Sequence, residues 1–415
     1  MEKINESNLI NAELTKQQYL RYFIFGIIYL HQGFIEVFMY TYMALYLLSF
    51  GLSIFLIGLT IGLGTSPWLF KIFYGMASDR KGSKRWGRRI PYMLVGSFFA
   101  AILFFTLIPV NPLAAWVLFT SIIFAANFFN ALCDTATDGL VIDTTSPEKR
   151  GSIQSLCWGS KFVGYITAAL LVGFMVEIFS WTIYFVFMGI FLLLPIPFLF
   201  ITKEPPYKIP EKFPLQDFKD TFKKRLVWLV LIFFIISELG LWIVLSMLPL
   251  FLSIELNLSL SLVGIVMAVA YGSFLIGCII SGPILDRLSR RISVSISIVF
   301  LSVIFFLASL VLDILMVLVI IVFAGISWGI FQIVKMTLSM DLCKKSISAT
   351  LYSIYMSILN IGGTLGTIIG AFLVEMLGFR ITFIIASFIV LSTLILVVFI
   401  KGTEKLFAGD SEISN

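Results

Sequence analysis

Charge, histidine and cysteine are all scarce in this chain. Of its 415 residues 13% are charged, one is histidine and four are cysteine. One imidazole (His31) and four dispersed thiols (Cys133, Cys157, Cys278, Cys343) lack metal-ligand spacing and supply no clustered nucleophile and base. An enzyme is therefore not expected, nor a metal or cofactor, and the cysteines read as small apolar packing residues. The shortage of charge argues equally against a soluble domain. With 60% hydrophobic residues and a mean hydropathy of +1.04, the chain has more apolar surface than a water-soluble fold of this length can hide. Basic residues outnumber acidic ones by 29 to 23, for a net charge of +6, but they are dispersed among short connections. That distribution argues against a nucleic-acid partner.

Long apolar runs are what the chain has in place of charge. Twelve can be counted, the first near 20–50 and the last near 380–401, each long enough to cross a hydrocarbon layer of about 30 Å. Backbone groups in hydrocarbon must bond within their own segment, so all twelve are expected to be helices of an all-α, polytopic membrane protein. Residues 1–19 are polar and the first run is long enough to span, so no cleaved leader is expected. The basic residues mark one face. They occupy the second connection (Arg80 to Arg89), the fourth (Lys149, Arg150), the sixth (Lys203 to Arg225), the eighth (Arg287 to Arg291) and the tenth (Lys344, Lys345). The odd-numbered connections carry little besides Arg380. By the positive-inside rule both termini and all even connections face the cytoplasm of a multi-pass protein in the plasma membrane.

The chain also repeats itself. Gly75-x-x-x-Asp79-Arg80 recurs as Gly282-x-x-x-Asp286-Arg287, and Leu52-Ser53 through Gly58 is echoed by Leu258-Ser259 through Gly264. Asp143, Ser155 and Gly164 match Asp341, Ser353 and Gly362 at one offset (341 − 143 = 198). A duplicated membrane chain points to two halves that rock about a shared central site. The expected division is a six-helix bundle over 1–202, a cytoplasmic linker over 203–225, a second six-helix bundle over 226–401, and a cytoplasmic tail over 402–415. Within the linker, Leu215, Phe218 and Phe222 recur at helical spacing among charges, which predicts a short amphipathic helix on the membrane surface.

The loop after the second run resembles the loop motif of the major facilitator superfamily, carried here by Gly75, Asp79, Arg80, Gly82 and the basic residues up to Arg88 and Arg89. The weaker copy at Gly282, Asp286 and Arg287 falls where that family keeps one. The resemblance implies twelve transmembrane helices in two pseudo-symmetric six-helix halves with cytoplasmic termini. It also implies a cytoplasmic gating latch. In physical terms Gly75 would allow a close helix approach, Asp79 would accept bonds from a helix N-terminus, and the basic cluster would tie helix ends together. Asp143 and Arg150 join this set at the membrane edge. The stretch from Asp79 through Arg88, Arg89, Pro91 and Tyr92 is similar to the loop of glycoside–cation symporters and plant sucrose transporters. Asp134-x-x-x-Asp138 followed by Pro147-x-x-Arg150-Gly151 is similar to muropeptide permeases and acetyl-CoA transporters. The second run carries no carboxylate, unlike those sodium-coupled symporters.

Polar residues inside the spans are costly and so read as functional. Asn127, Asn130, Asp134 and Asp138 step by 3, 4 and 4 along one helical face. Trp328, Gln332, Lys335 and Ser339 form the matching stripe half a chain later. The first span adds His31, Gln32, Glu36 and Tyr40, the seventh Glu238 and Trp242, and the eleventh Tyr355 and Asn360. From helix rise alone, Asp134 and Lys161 reach a similar depth, so an Asp134–Lys161 pair is expected, either as a releasable lock or as a static packing pair, while Lys71 reads equally as a snorkelling edge residue or as a functional one. Glu36, Asp134, Asp138, Lys161 and Glu238 are the proton-coupling candidates, because a carboxyl in a low dielectric can be protonated reversibly. The reading is a monomeric secondary transporter in the lipid bilayer that moves a small hydrophilic solute, sugar-like or a small anion, by proton symport. The alternatives are an exporter of lipophilic compounds by proton antiport and a non-transporting sensor on the same fold.

Overall fold

The computed structural model describes residues 2–80, 82–83, 86–145, 149–204, 215–288, 290–342 and 348–399. Among them the regular structure is helical, apart from one isolated bridge between Ser83 and Gly87. The first span, Thr15–Ser49, is built from α1 (Glu2–Val37), a π turn (Phe38–Tyr42) and α2 (Met43–Ser49). The second is also interrupted, with α3 (Ile54–Thr65) and α4 (Lys71–Arg80) joined by a 3-10 turn at Ser66–Phe70. Pro67 has no N–H to continue the α ladder, so the break falls there. Next come α5 (Ile90–Thr106), α6 (Trp116–Thr144), α7 (Arg150–Ile178), α8 (Trp181–Leu193) and its continuation beyond Pro195, α9 (Ile196–Ile201). The short α10 (Leu215–Phe222) precedes α11 (Arg225–Ile254), α12 (Leu260–Arg287), α13 (Arg290–Ala308), α14 (Ile314–Asp341), α15 (Ser348–Leu377) and α16 (Phe379–Phe399).

Among the described residues, eleven helical spans are long and apolar enough to cross a membrane. The twelfth apolar run forms α5, a shorter helix of 17 residues. At about 1.5 Å per residue it spans roughly 26 Å.

The repeat is visible in the packing. Gly164 of α7 lies so close to α1 that a Cβ there would meet the Leu30 carbonyl oxygen at 2.6 Å. Gly362, its partner at the offset of 198, meets the Ile235 carbonyl oxygen of α11 at the same 2.6 Å. Both glycines let two helix backbones touch, which fixes the depth at which side chains from the two helices meet. Gly164→Ala is expected to over-pack the α1–α7 crossing and cost about 1–3 kcal/mol. Thermal unfolding in detergent reads this directly. Gly159→Ala is the control, because a Cβ at Gly159 would meet nothing within 4 Å.

The two sequence halves press together at the ends away from the basic connections. There α3 packs on α15 and α7 on α12. A Cβ at Gly62 would meet Ile368 Cγ1 at 2.5 Å, and one at Gly173 the Leu260 carbonyl oxygen at 2.6 Å. Tyr42, fully buried, donates from its hydroxyl to the Ala169 carbonyl at 2.5 Å and accepts from the Gly173 N–H at 3.1 Å. Toward the basic end α7 and α12 diverge. They touch through the Phe162 and Phe274 rings, 5.5 Å apart, and then leave open space at Gly159. The halves therefore form a wedge that is shut on one face and widens toward the other.

Candidate functional site

Three lysines inside the spans organise the site. Lys71, at the start of α4, is swung toward α6 after the 3-10 turn. Its ammonium lies 2.5 Å from Asp134 Oδ2 and 3.3 Å from Asp138 Oδ2. Asp138 also accepts a 2.5 Å bond from the Tyr29 hydroxyl of α1. Lys161 of α7 pairs with Glu36 of α1 at 2.8 Å, and the Tyr165 hydroxyl donates to the other Glu36 oxygen. The close approach of Gly33 to Gly164 brings these two helices near enough for that pair. Lys335 of α14 pairs with Glu238 of α11, both buried, and sits 4.3 Å from the Phe331 ring centroid.

The Asp134–Lys161 pair expected from helix rise is therefore not formed. Rise fixes depth along the membrane normal, but azimuth decides the partner, and azimuth gives Asp134 to Lys71 and Lys161 to Glu36. Lys71 does not serve as a snorkelling edge residue; it bridges two aspartates one helical turn apart. All three pairs lie within one half, so none of them locks the halves to each other.

Aromatic rings fill the middle of the wedge where the halves meet. Tyr40, in the π turn, lies 4.4 Å from Trp242 of α11, and Thr41 bonds the Tyr271 hydroxyl of α12 at 3.2 Å. Tyr271 faces Tyr165 at 5.2 Å, and Trp328 of α14 lies 4.2 Å from Phe274. On α6, Asn127 accepts from the Trp68 indole at 3.2 Å. Gln32 Oε1 and Asn130 Nδ2 are buried without a protein partner, leaving one acceptor and one donor for a solute or water to satisfy. Gln332 is half-buried on α14, and Asn360 is exposed on α15.

Two expected cavity residues lie elsewhere. His31 points to α8, where it packs edge-on against Phe191 at 4.1 Å, off the stripe of Gln32, Glu36 and Tyr40. Tyr355 is fully buried in the hydrophobic core, edge-on to Phe234 of α11 at 6.3 Å.

The loop motif is a charge cluster on the basic face. Asp79 pairs with Arg89 and lies 3.7 Å from Arg88 Nη1, while Asp143 Oδ2 takes Arg88 Nη2 at 2.7 Å and Arg89 Nε at 3.2 Å. In this conformation Asp79 is thus bound to arginines of its own half. Gly75 does not mediate a close approach, because a Cβ there would make only an ordinary 3.7 Å contact with Thr135. Gly82 does, lying under the Ser83–Gly87 turn where a Cβ would meet Arg88 Cα at 2.6 Å. Glu204 was not legible as a member of this cluster. It accepts from the N–H groups of Arg88 at 2.8 Å, Arg89 at 2.7 Å and Ile90 at 2.5 Å, capping the N-terminus of α5. Arg80, Arg150, Gly282, Asp286 and Arg287 are described only as helix backbone, and Cys343 lies outside the described residues.

Comparison with known proteins agrees with this architecture. Over 160 residues the chain is 34% identical to a folate-biopterin transporter of Synechocystis sp.. That match covers 37% of this chain and 31% of the relative, so the chain spans less than a third of the length of that protein. Among solved structures, a bacterial homologue of the human lysosomal transporter Spinster, inward-facing and occupied, superposes with a TM-score of 0.71 at 16% identity. It covers 92% of this chain and 95% of that one. The nucleoside transporter NupG gives a TM-score of 0.76 at 14% identity, over 92% of this chain and 100% of its own. At such identities these two likenesses speak to the fold. The Major Facilitator Superfamily profile matches residues 25–366, and with eleven membrane-length helices among the described residues the chain is a multi-pass membrane protein that belongs to the major facilitator superfamily.

Proposed function

We propose that this transporter moves a small polar solute with a flat ring by alternating access between its two halves, coupled to a proton. The observation that carries the reading is a charge imbalance in the site. Four carboxylates (Glu36, Asp134, Asp138, Glu238) face three lysines (Lys71, Lys161, Lys335), and the excess resides where Lys71 is shared by two aspartates. An unbalanced charge at membrane depth is expensive, which makes this cluster the place where charge would be taken up and released during the transport cycle. Tyr40, Trp242, Tyr165, Tyr271 and Trp328 offer ring faces at the same depth, and the unpartnered Gln32 and Asn130 atoms offer polar contacts. The similarity to a folate-biopterin transporter supports a pterin-like solute over a sugar.

With the basic connections in the cytoplasm, the shut face is external and the wedge opens inward. Glu36→Gln and Asp134→Asn are expected to lower proton-driven uphill uptake into proteoliposomes at least about tenfold, while a thermal-shift titration with biopterin or folate still reports binding. Unchanged uphill uptake in both variants would sink proton coupling. Stabilisation by sugars alone would return the solute to the sugar class.

A further inference from the structure

Among the described residues, none of the ion pairs made by Lys71, Lys161 and Lys335 joins one half to the other, so they do not hold the shut face. At that face Glu375, near the end of α15, accepts the Phe55 N–H of α3 at 2.7 Å. Glu177, at the end of α7, accepts the Ser261 N–H of α12 at 2.9 Å. Both bonds run between the halves, and each places a carboxylate on the first turn of a helix whose amides have no intrahelical acceptor.

The two contacts are copies of each other. The carboxylates differ by 198 in number (375 − 177) and the amides by 206 (261 − 55), the offsets that link Asp143 to Asp341 and Leu52 to Leu258 in the internal repeat. The caps beside them repeat as well, with Ser53 accepting from Leu56 at 3.3 Å and Ser259 from Leu262 at 3.4 Å. Below each carboxylate a glycine brings the helices into backbone contact: Gly58 against the Thr367 carbonyl, Gly264 against the Ala169 carbonyl. Those residues obey the same two offsets (264 − 58 = 206, 367 − 169 = 198).

We infer that Glu177 and Glu375 form a paired latch that positions the two halves in the state closed at the face away from the basic loops. The face cannot open unless α3 leaves α15 and α12 leaves α7. Both helix N-termini then lose their anionic partner at once, so the two bonds act on the same equilibrium. The latch needs neither the proton nor the pterin part of the proposed function, because it concerns only how the closed face is held.

The test is a distance measurement on the full chain. Leu113 and Leu312 are exposed, in connections of opposite halves on the closed face. Spin labels at Leu113→Cys and Leu312→Cys, with the native cysteines replaced, report opening as a longer distance. Glu177→Ala and Glu375→Ala are each expected to raise the open-to-closed ratio about threefold, and the double variant about tenfold, from the usual worth of a carboxylate at a helix N-terminus. Should the alanine pair fail to fold, Glu177→Gln with Glu375→Gln keeps volume and an acceptor, loses the charge, and is expected to shift the ratio about threefold. A folded double variant with the wild-type distance distribution would overturn the latch. An unchanged latch response in a chain that transports no pterin and couples no proton would leave it standing and overturn only the transport reading.

Discussion

Replacing Lys335 by methionine is expected to cost about 3–5 kcal/mol of stability, and adding Glu238→Gln is expected to return most of it. The argument rests on burial. Lys335 has no exposed side-chain surface and Glu238 4%, so removing the ammonium strands a carboxylate that water cannot reach. Removing both charges leaves two side chains of near-native volume in an apolar setting, which is often neutral. Unfolding of the single and double variants in the same detergent gives the comparison. A single variant as stable as the parent would mean that water reaches the pair. Transport by the stable double variant would separate a packing role for this pair from a coupling role.

The second large effect is expected at Lys71. Lys71→Met leaves Asp134 and Asp138 four residues apart on one helical face with no cation between them. The stability loss is smaller than at Lys335, about 1–3 kcal/mol, because Lys71 is 27% exposed and Asp138 38%, and solvent screens them. The loss in uphill uptake is expected to be at least about tenfold, since the surplus charge then has no lysine to share it. Adding Asp134→Asn restores one acid with no neighbour of like sign and is expected to recover stability without recovering uptake. Recovery of both would make Lys71 a packing residue and place the coupling carboxylate elsewhere.

Much of this architecture can be read in the residues. The apolar runs, the basic face and the duplicated Gly-x-x-x-Asp-Arg loop point to the family, and the stripe from Asn127 to Asp138 includes two residues of the candidate site, the aspartates that Lys71 bridges. What periodicity leaves out is rotation between helices. Asp134 and Lys161 share a depth, yet the 3-10 turn at Pro67 turns Lys71 toward α6 and gives it the aspartate instead. His31 and Tyr355 were assigned to the cavity by residue type within a span, but the side chains face α8 and α11. Glu177, Glu375 and Glu204 escape notice for another reason. A glutamate at a helix end looks like an ordinary solvated charge, and only its neighbour in space shows that it caps a foreign helix. For Glu177 and Glu375 a signal was present in the offset of 198 that already links Gly164 to Gly362.

The π turn at Phe38–Tyr42 has a consequence for how relatives of this chain could diverge. A five-residue turn holds one residue more than the α-helical ladder around it, which is what a single-residue insertion leaves in a helix anchored at both ends. Both ends are anchored here, by Gly33 against α7 and by Tyr42 against Ala169 and Gly173. A descendant that deleted one residue in this stretch would still meet both anchors, but would present different side chains to Trp242 and Tyr271. The surface that the π turn presents to the other half can then change through gain or loss of one codon, with every other residue around it unchanged.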